Sequence, residues 1–235
     1  SPGEAERSFL AQAHEDYAAD ETPELDGEDL AALLAASWRA AGDYPAGSPP
    51  LITVGPLSGA DGQALDYDLV RIVQNDAPFL VDSVMGEIAD QGFQVRAMFH
   101  PVVEVRRDDK GLRHPKGELR RESMIQVVVD RIGPDREDQL LAGLRTALAD
   151  ARAAVADFPA MLDLMARTVA ELEALSPATP RRDEELAFLR WLHTEHFVFL
   201  GARIYEYPRA EGGDYAPEEP LFQPQDGLGV LRDPE

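Results

Sequence analysis

The sequence predicts an α+β fold: a ferredoxin-like βαββαβ sheet with an enlarged helical crossover, preceded by an N-terminal helical segment. Apolar residues alternate along 65–75 and again along 93–105, as they do in half-buried strands. Between these strands, residues 80–88 place apolar side chains at helical spacing. A third strand at 123–130 and a long helix follow. The order β-α-β-β-α is the opening of a split βαβ unit.

Residues 1–48 are predicted to form the helical segment. Asp26 is expected to cap its second helix, with Asp29 three residues later as the capping-box partner. This helix carries an apolar stripe of Leu30, Leu33, Leu34 and Trp38. A linker rich in Pro, Gly and Ser follows, and residues 51–57 are predicted to be an extra strand beside the core sheet.

The main α+β domain is expected to span residues 51–207, with its helical crossover at about 135–196. Pro159 is expected to end or restart the crossover helix, because proline lacks the N–H that a helix interior uses. Residues 197–207 are rich in aromatic and β-branched side chains and are predicted to be the fourth strand of the sheet. Residues 208–235 are predicted to be a linker and the start of a next module.

The turn between the first strand and its helix is the strongest candidate for a binding site. Its residues are Asn75, Asp76, Ala77, Pro78, Phe79 and Leu80. Asn75 or Asp76 is expected to cap the helix, and Pro78 to lie in its first turn. The free N–H groups and positive dipole of a helix N-terminus suit a carboxylate. Asp76 counts against an anion there, unless it binds the ammonium end of an amino acid. The alternative is a simple connection whose cap is satisfied internally.

Composition excludes several classes of partner. The 235 residues carry a formal net charge of −22, which disfavours nucleic acid and anionic membranes. No apolar run approaches the ~20 residues that span a bilayer, and we expect no signal peptide. The chain has no cysteine, which removes thiolate chemistry and favours a cytoplasmic location. Only Lys110 and Lys116 could supply a lysine, and both lie in a predicted loop.

Motifs for nucleotide binding or hydrolysis are missing from the sequence. It contains no P-loop, no G-x-G-x-x-G and no G-x-S-x-G. His193 and His196, with Glu195 between them, leave open a metal-dependent enzyme as one alternative. His100-Pro101 interrupts a predicted strand and is expected to mark an edge or a bulge.

Several motifs together resemble one family. Residues 76–84 read Asp-Ala-Pro-Phe-Leu-Val-Asp-Ser-Val, which resembles the D-x-P-F-L-V-D-S-V signature of the large bacterial NAD-dependent glutamate dehydrogenases. Earlier in the chain, Asp29-Leu30 to Trp38 is similar to that family's helix before the linker. Further along the chain, the similar motifs are His100-Pro101, Arg107-Asp108 with Gly111, Glu122-Ser123, and Leu189 to Gly201. They fall in order over about residues 28–207, so the set is specific although each member alone is not.

In that family these motifs belong to a long N-terminal extension built of ACT-type modules, which are βαββαβ units often used to sense amino acids. The resemblance thus implies a non-catalytic regulatory and assembly fragment. The parent enzyme would convert L-glutamate, NAD and water to 2-oxoglutarate, ammonia and NADH elsewhere in the full chain. NAD would be the cofactor of the parent, with no cofactor in this fragment.

The resemblance also implies partners: the remainder of the same polypeptide, with further ACT-like modules and a catalytic domain, and a homo-oligomer. An alternative is an amino-acid sensor that binds its effector at residues 75–80. One departure bears on that alternative. Ligand-binding ACT modules usually read D-x-P-G-x-L, and here Phe79 replaces the glycine. Its ring is expected to fill the pocket and to weigh against amino-acid binding.

Overall fold

A computed structural model describes five parts of the chain, with the side chains of Glu195 and His196 excepted. These parts are residues 3–16, 25–174, 179–207, 221 and 227–232. The chain divides into two compact units, residues 1–148 (unit 1) and 149–235 (unit 2). Within the described residues, no helix combines the length and the apolar composition needed to cross a membrane.

Unit 1 contains two helices, a strand pair, and then the succession α-β-β-β-α, in which two short strands stand where the sequence predicts one strand at 93–105. Its elements are α1 (Glu4–Glu15), α2 (Gly27–Ala40), β1 (Leu51–Ser58), β2 (Ala64–Asn75), α3 (Leu80–Asp90), β3 (Val95–Phe99), β4 (Val102–Arg107), β5 (Glu118–Asp130) and the first part of α4 (Pro134–Ala174). Gly92, with φ +75°, ends the turn after α3 in the left-handed conformation expected beyond a helix C-terminus.

The strands form one antiparallel sheet in the order β1-β2-β5-β3, and β4 also pairs with β5. His100-Pro101 separates β3 from β4. The α+β, ferredoxin-like prediction is confirmed, as is the extra strand at 51–57, which pairs with β2.

The prediction that residues 197–207 supply the fourth strand of this sheet is wrong. Among these residues only Gly201–Ala202 form a strand, and they pair with Leu228–Gly229 instead. The edge beside β2 is occupied by β1, whose residues pair with β2 from Leu51↔Val73 to Ser58↔Ala64. The strand β1, which precedes the other strands in the chain, therefore takes the place of the expected fourth strand.

Helices cover both faces of the sheet. On one face, α1 and α2 pack against the sheet in an apolar cluster that includes Phe9, Leu33, Leu69, Met124 and Val128. On the other face, α3 and α4 form a second cluster with Val84, Ile88, Ile125, Val127 and Leu144. Successive residues of β2 and β5 alternate between the two clusters, as the pleat requires.

The α4 helix does not stop at Pro159, so the expectation that proline ends or restarts it is wrong. The helix runs unbroken from Pro134 to Ala174 with Pro159 inside it. Buried residues recur at helical spacing before and after Pro159, at Ala151, Ala154 and Met161. The apolar stripe thus keeps its phase through the proline, and its packing offsets the one backbone hydrogen bond that proline cannot make.

In unit 2, α5 (Pro180–Trp191) begins with a side-chain cap from Thr179 and passes into a π-helical turn, Leu192–His196. The strands β6 (Gly201–Ala202) and β7 (Leu228–Gly229) form a short antiparallel pair. The buried Asp157 of α4 accepts hydrogen bonds from Gly229 N, at 2.7 Å, and from Arg232. Burial alone would raise the pKa of Asp157, but these hydrogen bonds lower it below its usual value.

Candidate functional site

The turn at 75–80 differs from its predicted capping scheme. The helix α3 begins at Leu80 with Phe79 as its N-cap residue, and no side chain among the described residues caps it. Asp76 instead forms an ion pair with Arg121, with 2.8 Å between Oδ2 and Nε, and its N–H donates to Arg121 O. Pro78 precedes the helix and is not part of its first turn. The expected caps are therefore wrong, because Arg121 on the neighbouring strand holds the Asp76 carboxylate.

Phe79 adopts the backbone conformation that glycine favours. With φ +68° and ψ 4°, it is the only residue other than glycine with positive φ among those described. The residue is 40% exposed, and the expectation that its ring fills a pocket stays a prediction. The left-handed backbone costs a side chain about 1–2 kcal/mol. The turn thus keeps the geometry that a glycine would have, without the glycine.

The remaining residues of the turn have different surroundings. Asn75 ends β2 opposite Glu122 and is exposed, while Ala77 is half-buried. Leu80 is 2% exposed and belongs to the core with α3 and α4. Of the six predicted residues, Leu80 is thus a core residue, and the binding role of the turn stays a prediction.

A buried polar cluster lies beside this turn. Gln74 is 1% exposed and pairs in register with Ser123, and neither amide atom of Gln74 has a hydrogen-bond partner among the described residues. His100 Nε2 lies 2.8 Å from Ser123 Oγ, and His100 N donates to Asp16 Oδ2. Burial lowers the pKa of His100 below its usual value, and the opposing effect of the charges of Asp76 and Asp16 is smaller.

Sequence reasoning missed Gln74, although a signal was present. Gln74 follows Val70 and Ile72 at the period of two that places side chains on one face of a strand. Both of these residues lie in the cluster packed by α3 and α4. A glutamine in that phase is predicted to be a buried polar residue, and buried amides normally find partners.

The motif residues at Arg107, Gly111 and Glu122 belong to a second site, which is structural. Arg107 forms a bidentate ion pair with Glu122, at 2.5 and 2.7 Å, and both side chains are fully buried. Its guanidinium also donates to Ala41 O, Gly42 O and Gly111 O. The network therefore joins the end of α2, the β4–β5 loop and β5, and it leaves the cation fully bonded.

No group of three or more His, Asp or Glu side chains suited to a metal ion occurs in the described part of the chain. His193 lies in the π-helical turn after α5, while the side chains of Glu195 and His196 lie outside the described residues. The alternative of a metal-dependent enzyme at His193 and His196 stays a prediction.

The fold defines an ACT-type, ferredoxin-like α+β module. The family model described as "Glutamate dehydrogenase, ACT1 domain" matches residues 9–144, which is more than half of the chain, and the chain belongs to this family.

Two curated relatives are similar over most of the chain. The chain is 30% identical over 196 residues to an NAD-specific glutamate dehydrogenase of Halomonas elongata, a match that covers 79% of the chain and 12% of the relative. It is 28% identical over 215 residues to an NAD-specific glutamate dehydrogenase of Pseudomonas aeruginosa, a match that covers 87% of the chain and 13% of the relative. The chain thus spans about one eighth of the length of these relatives.

Proposed function

We propose that this chain is a non-catalytic regulatory and assembly segment of an NAD-dependent glutamate dehydrogenase. The family membership and the small share of the relatives' length that it spans support this proposal. Oxidation of L-glutamate with NAD would then take place in another part of the full polypeptide, with which this segment would pack. A cytoplasmic location stays a prediction from the cysteine-free composition.

The observation that favours an assembly role is a set of exposed large apolar side chains in unit 2. We call this set the aromatic patch; it consists of Phe188, Trp191, Phe197, Val198, Leu200, Ile204, Tyr205 and Tyr207, each between 44% and 57% exposed. The rings of Phe188 and Trp191 stack at 6.2 Å, and Phe197 meets Trp191 edge-on at 5.5 Å. Clusters of exposed large apolar side chains commonly mark a site of association.

Charge favours a second copy of this chain as the occupant of the aromatic patch. Two copies that each carry −22 repel one another wherever their carboxylates face. The part of the patch from Phe197 to Tyr205 contains no Asp or Glu and one cation, Arg203, whereas Glu206 lies between Tyr205 and Tyr207. Two copies can therefore meet at this stretch without opposing acidic groups, and a two-fold contact of a patch with itself closes after two subunits.

Light scattering on the purified chain tests this proposal. The unaltered chain is expected to self-associate, and the double variant Trp191→Ser, Phe197→Ser to be monomeric. The matched control is Leu112→Ser, Leu119→Ser, which removes two apolar side chains of similar exposure, 47% and 49%, from unit 1. Equal masses for the unaltered chain and the aromatic variant would overturn assembly through this patch.

A second candidate function is an amino-acid sensor at the 75–80 turn, and Gln74 is the observation that favours it. A buried amide with both atoms unpaired is costly, and a ligand with donors and acceptors would satisfy it. Calorimetry with glutamate, aspartate, arginine and the branched-chain amino acids tests this function. Binding is expected to weaken in Asp76→Ala, and absence of heat with every one of these amino acids would count against a sensor.

A further inference from the structure

The sheet of unit 1 has two outer edges, β1 on one side and β3 followed by β4 on the other. Asp76 N donates to Arg121 O of β5, so the even-numbered residues of β2 face β5 and the odd-numbered ones face β1. Their partners on β1 are odd-numbered as well, and Pro56 therefore faces outward. A proline at that position offers no N–H to another strand, so the β1 edge is blunted by its own sequence.

Proline does not blunt the opposite edge. Met124 N donates to Pro101 O, so the odd-numbered residues on either side of Pro101 face β5, and the missing N–H of Pro101 leaves the outer series intact. The residues whose backbone N–H and C=O groups face outward are then Met98, His100, Val102 and Glu104. An uncovered edge of this kind pairs readily with another strand.

The helix α1 closes the middle of this edge with two side chains. Gln12 forms both bonds that a neighbouring strand would form with Val102: Nε2 donates to Val102 O at 2.9 Å, and Val102 N donates to Oε1 at 3.0 Å. One turn further along the chain, Asp16 Oδ2 accepts from His100 N at 2.8 Å. Gln12 Nε2 also donates to Ser8 Oγ, at 3.1 Å, which fixes the amide. These side chains occupy the place of a pairing strand.

Fixed structure bounds the covered part of the edge. Phe9 is fully buried in the apolar cluster and anchors α1 to the core. At the end of β4, His114 N donates to Arg106 O. Arg113 stacks on the Trp38 ring, 3.4 Å from its centroid, and so holds the same loop against α2. The part of the edge between these points is closed by side chains alone.

We propose that α1 is an edge cover, which keeps the edge from Met98 to Glu104 from pairing with the same edge of a second copy of this chain. The outward groups of these two residues have no partner among the described residues. The contacts of Gln12 and Asp16 are therefore what interrupts the edge. Loss of these contacts opens an association surface in unit 1, separate from the aromatic patch.

A second copy is the partner because the edge is self-complementary. A two-fold antiparallel copy sets Met98 opposite Glu104 and His100 opposite Val102, so that every outward group of these residues is paired. Glu104 is the only carboxylate among the four, and it lies opposite an apolar side chain. Pairing at this edge thus avoids the direct opposition of carboxylates that two chains of charge −22 meet elsewhere.

Sedimentation equilibrium tests the proposal in the background of the aromatic variant, Trp191→Ser, Phe197→Ser. Added to this background, the cover variant Gln12→Ala, Asp16→Ala is expected to associate at least about tenfold more tightly than the background. The matched control is His14→Ala, Glu15→Ala.

This control removes two exposed side chains, one of them a carboxylate, from the last turn of α1. It is expected to keep the mass of the background, because neither side chain bonds the edge.

Hydrogen exchange locates the new contact. At low concentration, the amide hydrogens of His100 and Val102 are expected to exchange at least about tenfold faster in the cover variant, because their acceptors are gone. At high concentration their protection is expected to return, with new protection at Met98 and Glu104. The single variant Gln12→Ala gives the exchange result at Val102 even if the cover variant fails to fold.

The proposal is overturned if the folded cover variant keeps the mass of its background, or if it associates without new protection at Met98 and Glu104. Unchanged exchange at Val102 in Gln12→Ala would also overturn it. Every comparison is made with the aromatic variant as background, so a monomeric unaltered chain would reject the aromatic patch and leave the edge cover testable.

Discussion

Arg107 and Glu122 form a bidentate ion pair in which both side chains are fully buried, with 2.5 Å between Nε and Oε1. Desolvation of two charges is costly, and it is offset here because the guanidinium also donates to three backbone carbonyls. The pair fixes the end of α2 and the β4–β5 loop against β5. The residues that carry the family resemblance at 107, 111 and 122 therefore act on the fold of the module.

Removal of one partner is expected to be strongly destabilising, because the other charge stays buried. Glu122→Ala should lower the free energy of unfolding by about 3–5 kcal/mol in urea denaturation. The control is Glu118→Ala, which removes an exposed carboxylate from its ion pair with Arg120 and should cost less than about 1 kcal/mol. Equal losses in the two variants would contradict a structural role for the buried pair.

Gly111 and Gly62 form a matched pair of positions, since both have positive φ, at +84° and +81°. A Cβ at Gly111 would lie 2.4 Å from Pro45 N, whereas a Cβ at Gly62 would have no neighbour within 4 Å. Gly62→Ala should therefore cost only the backbone strain, about 1–2 kcal/mol. Gly111→Ala should cost roughly 3 kcal/mol or more, because the loop must also move away from Pro45. Thermal unfolding of both variants tests the difference, and similar losses would be inconsistent with the close approach.

Phe79→Gly is expected to stabilise the chain by about 1 kcal/mol. Glycine removes the strain of the left-handed backbone, and the gain is reduced because glycine has more freedom in the unfolded chain. Phe79→Ala is the control, since it removes the ring and keeps the strain. A stabilisation by alanine as large as that by glycine would show that loss of the exposed ring, and not relief of backbone strain, causes the effect.

His100 should make the folded chain less stable as the pH falls below neutrality. Its pKa in the folded chain lies below the usual 6.5, so the unfolded chain takes up a proton first as the pH falls through about 6.5. The free energy of unfolding should therefore fall from pH ~7.5 to ~5.5. His100→Gln should remove that part of the slope, measured as the difference between urea denaturation series. An unchanged slope in this variant would contradict the lowered pKa of His100.

The sequence predicts where the strands of unit 1 lie, but it does not predict which strands pair with each other. The β-prone run from Leu51 to Val54 predicts a strand, and nothing in that run states which edge it joins. The run 197–207 has strong β propensity, but the free edge of β2 that a fourth strand would join is already paired with β1. Local propensity was overridden by the tertiary pairing, as it commonly is for strands.

The site was less predictable than the fold for a similar reason. The turn at 75–80 is identified from its chemistry, but the partner of its Asp76 carboxylate is Arg121, which is distant in sequence and adjacent only across the sheet. The same is true of Arg113, whose contact with Trp38 joins a loop to a helix 75 residues earlier. Contacts of this kind follow from register and packing, which spacing along the chain does not determine.

The most direct test of an assembly role is sedimentation equilibrium of the unaltered chain over a range of concentration and salt. The proposal predicts a mass that rises above 25.8 kDa with concentration, toward a dimer. Association should tighten as salt screens the repulsion between chains of charge −22. A single 25.8 kDa species at every concentration and salt would contradict self-assembly through this segment.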